Sequence, residues 1–183
     1  HQEFDLNIFH FEPGSNSKKV YNFVNCLGAV DIYKEDWELF LQLEKLLPDW
    51  EFRSYGGQNR DGWCNGPQEV ADKMREATYI FNCKKNGDGF GFTIHEAAAV
   101  GRPLIVRASD YKGKLAEPLI DMDTSIMVDH ATPETIANII KTSWEEDTFT
   151  PIMRGKKIYD KFTKIVNFDE EEKNIKFFLE NLI

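Results

Sequence analysis

Apolar positions along this chain follow two periods that alternate. Val20 to Leu27 (Val-Tyr-Asn-Phe-Val-Asn-Cys-Leu) has the β-branched and aromatic content of a buried strand, closed by Gly28. Helical spacing takes over from Asp36 to Leu47, with Trp37, Phe40, Leu43 and Leu47 on one face, and Pro48 stops it. Trp50 to Tyr55 reads as the next strand and ends in Gly56-Gly57. Asn65-Gly66-Pro67 starts a helix with proline in its first turn and Val70, Ala71, Met74 and Ala77 as its buried stripe. Tyr79 to Cys83, Leu104 to Val106 and Ser125 to Asp129 are further strands. Helices are expected after Thr132-Pro133, with Ile136, Ile139, Ile140 and Trp144, and after Thr150-Pro151, with Ile158, Phe162 and Val166. A last helix is expected over 169–183, where Asp169 and Glu172 form a capping-box-like start ahead of Ile175, Phe178, Leu179 and Leu182.

Strand and helix alternating with short connections predict an α/β domain, a Rossmann-like doubly wound parallel sheet covered by helices on both faces. Ligands of such sheets bind outside the carboxyl ends of the strands. Gly28, Gly56-Gly57, the turn at Asp88 and the segment after Val106 all fall at those ends, so one rim collects the glycine-rich loops.

The stretch from Gly87 to Pro103, Gly-Asp-Gly-Phe-Gly-Phe-Thr-Ile-His-Glu-Ala-Ala-Ala-Val-Gly-Arg-Pro, concentrates the candidate chemistry. A strand feeds a glycine-rich turn that opens into a short helix. Gly89 and Gly91 bring no Cβ to keep a ligand from the backbone. The first helical amides, near Phe92 to Ile94, form an anion site, because a helix leaves them without internal partners. Asp88 before the turn and Glu96 on the helix would frame that anion from two sides.

This stretch resembles the donor-binding signature of family 4-like retaining glycosyltransferases of the GT-B fold: Glu-Gly-Phe-Gly, four residues, Glu-Ala, then Gly-Arg/Lys-Pro-Val-Ile. The match is Asp88-Gly89-Phe90-Gly91, Phe92 to His95, Glu96-Ala97 and Gly101-Arg102-Pro103-Leu104-Ile105, with aspartate where the family has its first glutamate. The resemblance implies the carboxyl-terminal, donor-binding half of a GT-B enzyme. In that family the second acid, here Glu96, accepts hydrogen bonds from the nucleotide ribose, and the first, here Asp88, faces the transferred sugar. A carboxylate suits the ribose because it only accepts and two neighbouring hydroxyls can donate. Amides and side chains at Phe90, Gly91, Phe92 and Thr93 would meet the diphosphate and sugar. The family also places Gly-Arg after the first strand and Lys-Gly shortly after. Here Gly28 is followed by Ala29, and Lys34 is the candidate for the lysine, with Arg53 or Lys84-Lys85 as substitutes for the missing arginine. Gly113 and Glu117 loosely resemble the family's Gly-x-x-Glu. His95 reads as a packed histidine, not a base.

At the other end, Asp5 to His10 is similar to the family's inter-domain linker. Residues 1–17, closed by Gly14-Ser15-Asn16-Ser17, are therefore expected to be a linker remnant before a donor domain at 18–183. The start at His1-Gln2 fits a cut or processed end.

Charge and cysteine content narrow the partners. A net charge of −9 argues against general nucleic-acid binding, which needs a basic face. Arg102, Arg107, Lys112 and Lys114 nevertheless crowd the segment after the central helix, a local patch suited to a small anion. No apolar run approaches the roughly 20 residues that span a bilayer. Cys26, Cys64 and Cys83 form no metal or disulfide framework and read as reduced thiols of a cytoplasmic protein. The expectation is a glycosyltransferase donor domain. It uses a nucleoside-diphosphate sugar, needs no metal or other cofactor, and works with an amino-terminal acceptor-binding domain of the same protein. A non-catalytic nucleotide-binding module is the alternative that Ala29 and Asp88 favour.

Overall fold

Tyr79, Ile80 and Phe81 are all fully buried, although successive side chains of a strand point to opposite faces. A strand buried on both sides needs cover on both sides, and the fold supplies it. The computed structural model describes residues 5–14, 17–145 and 150–181. Five strands, β1 (Lys19–Asn22), β2 (Glu51–Ser54), β3 (Tyr79–Phe81), β4 (Leu104–Val106) and β5 (Ser125–Met127), form one sheet in the order β2-β1-β3-β4-β5. Every pairing is parallel, with Val20 opposite Phe52 on one side and Tyr79 on the other, and Ile105 opposite Phe81 and Ile126.

Ile80, Leu104 and Val106 face a core built with α2 (Pro67–Glu76), α3 (Phe92–Ala99) and α5 (Pro151–Ile165), through Met74, Ile94, Ile158 and Phe162. Tyr79, Phe81 and Ile105 face a second core built with α1 (Lys34–Leu46) and α4 (Pro133–Glu145), through Phe40, Leu43, Ile136 and Ile140. The doubly wound sheet is therefore the observed architecture. Full burial of one such side chain contributes roughly 1.5–3 kcal/mol, so the two cores hold the sheet from either face.

Three local expectations shift. The first strand stops at Asn22 rather than continuing to Leu27. The Asn22 side chain accepts the Val24 N–H at 3.0 Å and donates to Ser54 Oγ at 2.9 Å, turning the chain out of the sheet. The last helix, α6 (Phe168–Glu180), is capped two residues earlier than expected, by Asn167, whose side chain accepts the Glu170 N–H at 3.1 Å. Its stripe of Ile175, Phe178 and Leu179 is more than half exposed rather than packed. Phe4, Ser15, Asn16, Leu182 and the expected helix end at 183 lie outside the described residues.

Arg102 also departs from expectation, since it belongs to no basic patch. Its side chain is fully buried and donates to the carbonyls of Arg75, Glu12, Val100 and Gly101. Burial pushes its pKa down to about 10. Together with Arg75, which donates to the Ile8 carbonyl at 2.8 Å, it fastens the segment 5–14 to the domain. Phe9 is buried in the same place and Phe11 packs on Tyr159. Replacing Arg102 by alanine would strand several buried carbonyls, each worth about 1–3 kcal/mol when unpaired. Arg102→Ala is expected to lower the unfolding free energy in urea by about 2–4 kcal/mol; a loss under about 1 kcal/mol would show that water replaces the guanidinium freely.

Candidate functional site

The strand order reverses direction between β1 and β3, since β2 lies on one side of β1 while β3, β4 and β5 follow on the other. Loops leaving two such strands part from each other and open a crevice at their carboxyl ends. The loop after β3 forms one wall and runs into α3. The loops after β1 and β2 form the other.

The two glycines of the turn do different work. Gly91 caps α3 with φ 76° and ψ 55°, a left-handed conformation. A Cβ there would stand 2.8 Å from the Ala116 Cβ, so the fold itself requires glycine. Gly89 is exposed, and a Cβ there would meet nothing within 4 Å. The space before it is open. Beyond Gly91, the Ile94 and His95 N–H groups both turn back to the Gly91 carbonyl, at 3.0 and 3.1 Å. No acidic side chain sits in the first turn of α3, which begins at Phe92, so none offsets the positive end of its dipole from within the helix.

Thr93 and Glu96, three apart on one helix face, open into a cleft of about 310 Å³. Phe23, Asn25, Tyr55 and Trp63 line the opposite side. The Phe23 and Tyr55 rings stack at 5.5 Å, while Trp63 is 69% exposed. Among the described residues no side chain or amide pairs with the Glu96 carboxylate. Burial alone pushes its pKa up to about 7. A carboxylate with unused acceptors, facing aromatic walls, suits a ligand with donating hydroxyls beside a planar ring.

His95 takes no part in the cleft. Its ring is fully buried, flat against Phe90 at 4.4 Å and 11°, with Nδ1 3.0 Å from the Gly91 carbonyl. A carbonyl only accepts, so Nδ1 carries the proton. Burial also lowers the His95 pKa, which keeps the ring neutral. Phe92 meets Phe90 edge-on at 5.0 Å, completing the packing that supports the turn.

Asp88 is bonded to the Lys84 ammonium, which also lies 6.0 Å from the Tyr33 ring. Neither Asp88 nor Lys84 lines the Glu96 cleft. Gly28 is exposed after β1, with its N–H 3.4 Å from Asn59 Oδ1 and the Trp37 indole behind it. Lys34 is exposed at the first position of α1, and it too lies outside the cleft lining. Of the cations considered for the missing arginine, Arg53 is engaged by Glu51 and Asp61. Glu117 accepts the Gly113 N–H at 2.7 Å within its own loop. Sequence reasoning missed the wall of Phe23, Tyr55 and Trp63. The one available signal was a tryptophan inside a loop otherwise rich in glycine and asparagine.

Comparisons with known proteins fit this geometry. No protein-family model matches the chain, and no curated protein matches it. Solved structures do. HepE (Alr3699) from Anabaena in complex with UDP superposes with a TM-score of 0.72 at 16% identity, over 97% of this chain and 56% of that one. The carboxyl-terminal domain of LpcC, a group 1 family glycosyl transferase from Francisella tularensis, superposes with a TM-score of 0.61 at 15% identity, over 88% of this chain and 97% of that domain. The chain has the fold of the carboxyl-terminal domain of a GT-B glycosyltransferase. The pneumococcal O-GlcNAc transferase GtfA, in complex with UDP and GlcNAc, gives a TM-score of 0.61 at 16% identity, over 92% of this chain and 37% of its own. The chain thus spans about half the length of HepE. No described helix is long and apolar enough to cross a membrane.

Two outcomes follow for this GT-B-like domain. Gly91→Ala is expected to destabilise it by about 1–3 kcal/mol through the left-handed φ and the Ala116 contact, while Gly89→Ala leaves stability unchanged. Equal losses in urea unfolding would contradict the division of labour. For Glu96, the folded pKa lies above the ordinary glutamate value of about 4.3. Its contribution is therefore most favourable below that value and is lost as pH rises through 7. Glu96→Gln should then gain about 2–3 kcal/mol over the parent between pH 4.5 and pH 8; a pH-independent difference would mean that Glu96 ionises normally.

Proposed function

We propose that the chain is the donor-binding domain of a retaining glycosyltransferase that takes its sugar from a nucleoside diphosphate. The carrying observation is Glu96: a carboxylate with no counter-charge among the described residues, in an aromatic-walled cleft, one helical turn from the start of α3. In this reading the ribose hydroxyls donate to Glu96 and the nucleobase lies among Tyr55, Trp63 and Phe23. The diphosphate meets the start of α3 across Gly89, and Phe90, Gly91, Phe92 and Thr93 form that surface. HepE, whose fold this chain shares, is a protein crystallised with UDP-glucose. That makes UDP-glucose a reasoned first probe.

Asp88 faces the sugar in this proposal. The bond from the anomeric carbon to the diphosphate breaks, the acceptor oxygen bonds to that carbon on the same face, and the acceptor proton leaves with the diphosphate. Asp88 would stabilise positive charge developing at carbon. The amide end of α3 would stabilise the departing anion, without a metal ion. Gly28 and Lys34 complete the diphosphate side if the loop after β1 closes on the ligand. The acceptor is held by a separate amino-terminal domain, so the chain alone turns over little sugar. The second reading, a binding module without chemistry, is favoured by Ala29 and by the Lys84 contact that occupies Asp88.

Ribose binding requires Glu96 ionised, so it should expel a proton. At pH 7, calorimetry of UDP-glucose in buffers of different ionisation enthalpy is expected to reveal release of about half a proton. Affinity should rise from pH 6 to pH 8, since the diphosphate diester has no group titrating there. Glu96→Gln should abolish the release and weaken binding about tenfold or more. Unchanged affinity in that variant would defeat the proposal; binding without turnover by the complete two-domain enzyme would favour the module reading.

A further inference from the structure

Asp36 is a charged residue on the apolar stripe of α1. It is 2% exposed, above Phe40 and Leu43, while its neighbours Glu35 and Glu38 are exposed. Taking a carboxylate out of water costs several kcal/mol unless its partners are well placed. Those partners come from outside α1. Oδ2 accepts the Lys85 N–H at 2.9 Å, and Oδ1 accepts from Arg107 Nη2 at 3.1 Å. Arg107 follows β4, and its Nε is 3.5 Å from Asp110 Oδ2. Asp110 in turn accepts the Asn86 N–H at 3.2 Å through its other oxygen. Two successive amides of the turn before Asp88 are thus each held by a carboxylate from a different element, and one guanidinium joins the two acids. The Lys114 ammonium holds the Asn86 carbonyl, and the Gly87 N–H donates to the Lys84 carbonyl at 2.7 Å. Gly87 itself is pressed so close that a Cβ would stand 2.5 Å from the Asp110 carbonyl oxygen.

We infer that Asp36, acting through Arg107, is a positioning residue that fixes the turn 84–88 and so aims Asp88 across the crevice. An apolar side chain at position 36 would fill the core as well, but would leave the Lys85 amide and Arg107 without this acceptor. The clamp grips the turn only. The aromatic wall and Glu96 belong to other elements, and Asp36 does not line their cleft. Disturbing it should therefore affect recognition of the sugar while sparing recognition of the nucleotide. This consequence rests on the reading of Asp88 under the proposed function; the clamp itself does not.

Two measurements on the 183-residue chain separate them. Amide hydrogen exchange at Lys85 and Asn86 tests the clamp, and the ratio of UDP to UDP-glucose dissociation constants tests its consequence. Asp36→Asn keeps an acceptor for the Lys85 amide but leaves Arg107 half-paired. It should speed exchange at both amides by about tenfold and reduce the UDP-glucose advantage by about tenfold, with UDP affinity within about twofold of the parent. Taking the ratio removes any general effect of deleting a negative charge. The neutral pair Asp36→Asn with Arg107→Gln should recover at least half of the loss on a logarithmic scale, which a simple packing defect would not. Arg107→Lys, which keeps the charge and loses the fork, should show the same pattern more weakly and serves if Asp36→Asn does not fold. Unchanged exchange at Lys85 and Asn86 would overturn the clamp. Faster exchange with an unchanged ratio would overturn its bearing on Asp88. A parent chain that binds neither ligand would count against the proposed function and leave the exchange result to decide the clamp.

Discussion

Two buried or half-buried acids of this domain are treated in opposite ways, and the contrast organises the site. Asp36 is surrounded by donors: an amide from one loop and a guanidinium from another. Glu96 has none among the described residues, and burial alone raises its pKa to about 7. An unpaired carboxylate in a cleft is a standing cost in free energy, one that hydrogen bonds from a visiting ligand can relieve. Folds accumulate such costs at sites where binding or chemistry needs them. The paired acid supports a wall of the crevice, and the unpaired one presents acceptors within it.

Topology makes the contrast possible. With β1 and β3 adjacent and their crossovers leaving in opposite directions, the loops after them cannot close over the sheet. The β3 loop then needs other means of order. It has the Asp36–Arg107–Asp110 bridge beneath, and above it the stack of Phe90 on His95 at the start of α3. Gly91 permits the sharp entry into the helix, and Ala116 fills the space a side chain would have taken. A turn held in this way has little freedom left to lose when a ligand binds, because its ordering was completed during folding.

Much of this was legible in the chain. The run from Tyr79 to Val106 declared strand, glycine turn, helix and strand, since apolar period and glycine placement are local signals. Strand order was not, because pairing depends on contacts far apart in sequence. The first strand is shorter than its apolar run: Phe23, Val24 and Leu27 are apolar enough to extend it, but the Asn22 side chain competes for the backbone and turns it. Arg102 looked like part of a surface cation cluster, whereas its side chain runs under the segment 5–14, a tertiary choice that no spacing reveals. Asp36 could have been found. It shares a helical stripe with Phe40, Leu43 and Leu47, and an acid in that register is either paired or badly placed. The cleft walls come from loops after two different strands, so only the folded chain joins Tyr55 and Trp63 to Glu96.

The proposed function depends on where a nucleotide lies. A crystal structure of the chain with UDP-glucose would decide it. Both ribose hydroxyls are expected within about 3.2 Å of the Glu96 carboxylate, with the base against Tyr55 and Trp63 and the diphosphate over Gly89 at the start of α3. A nucleotide bound elsewhere, or one in this crevice with Glu96 turned away from the ribose, would contradict it.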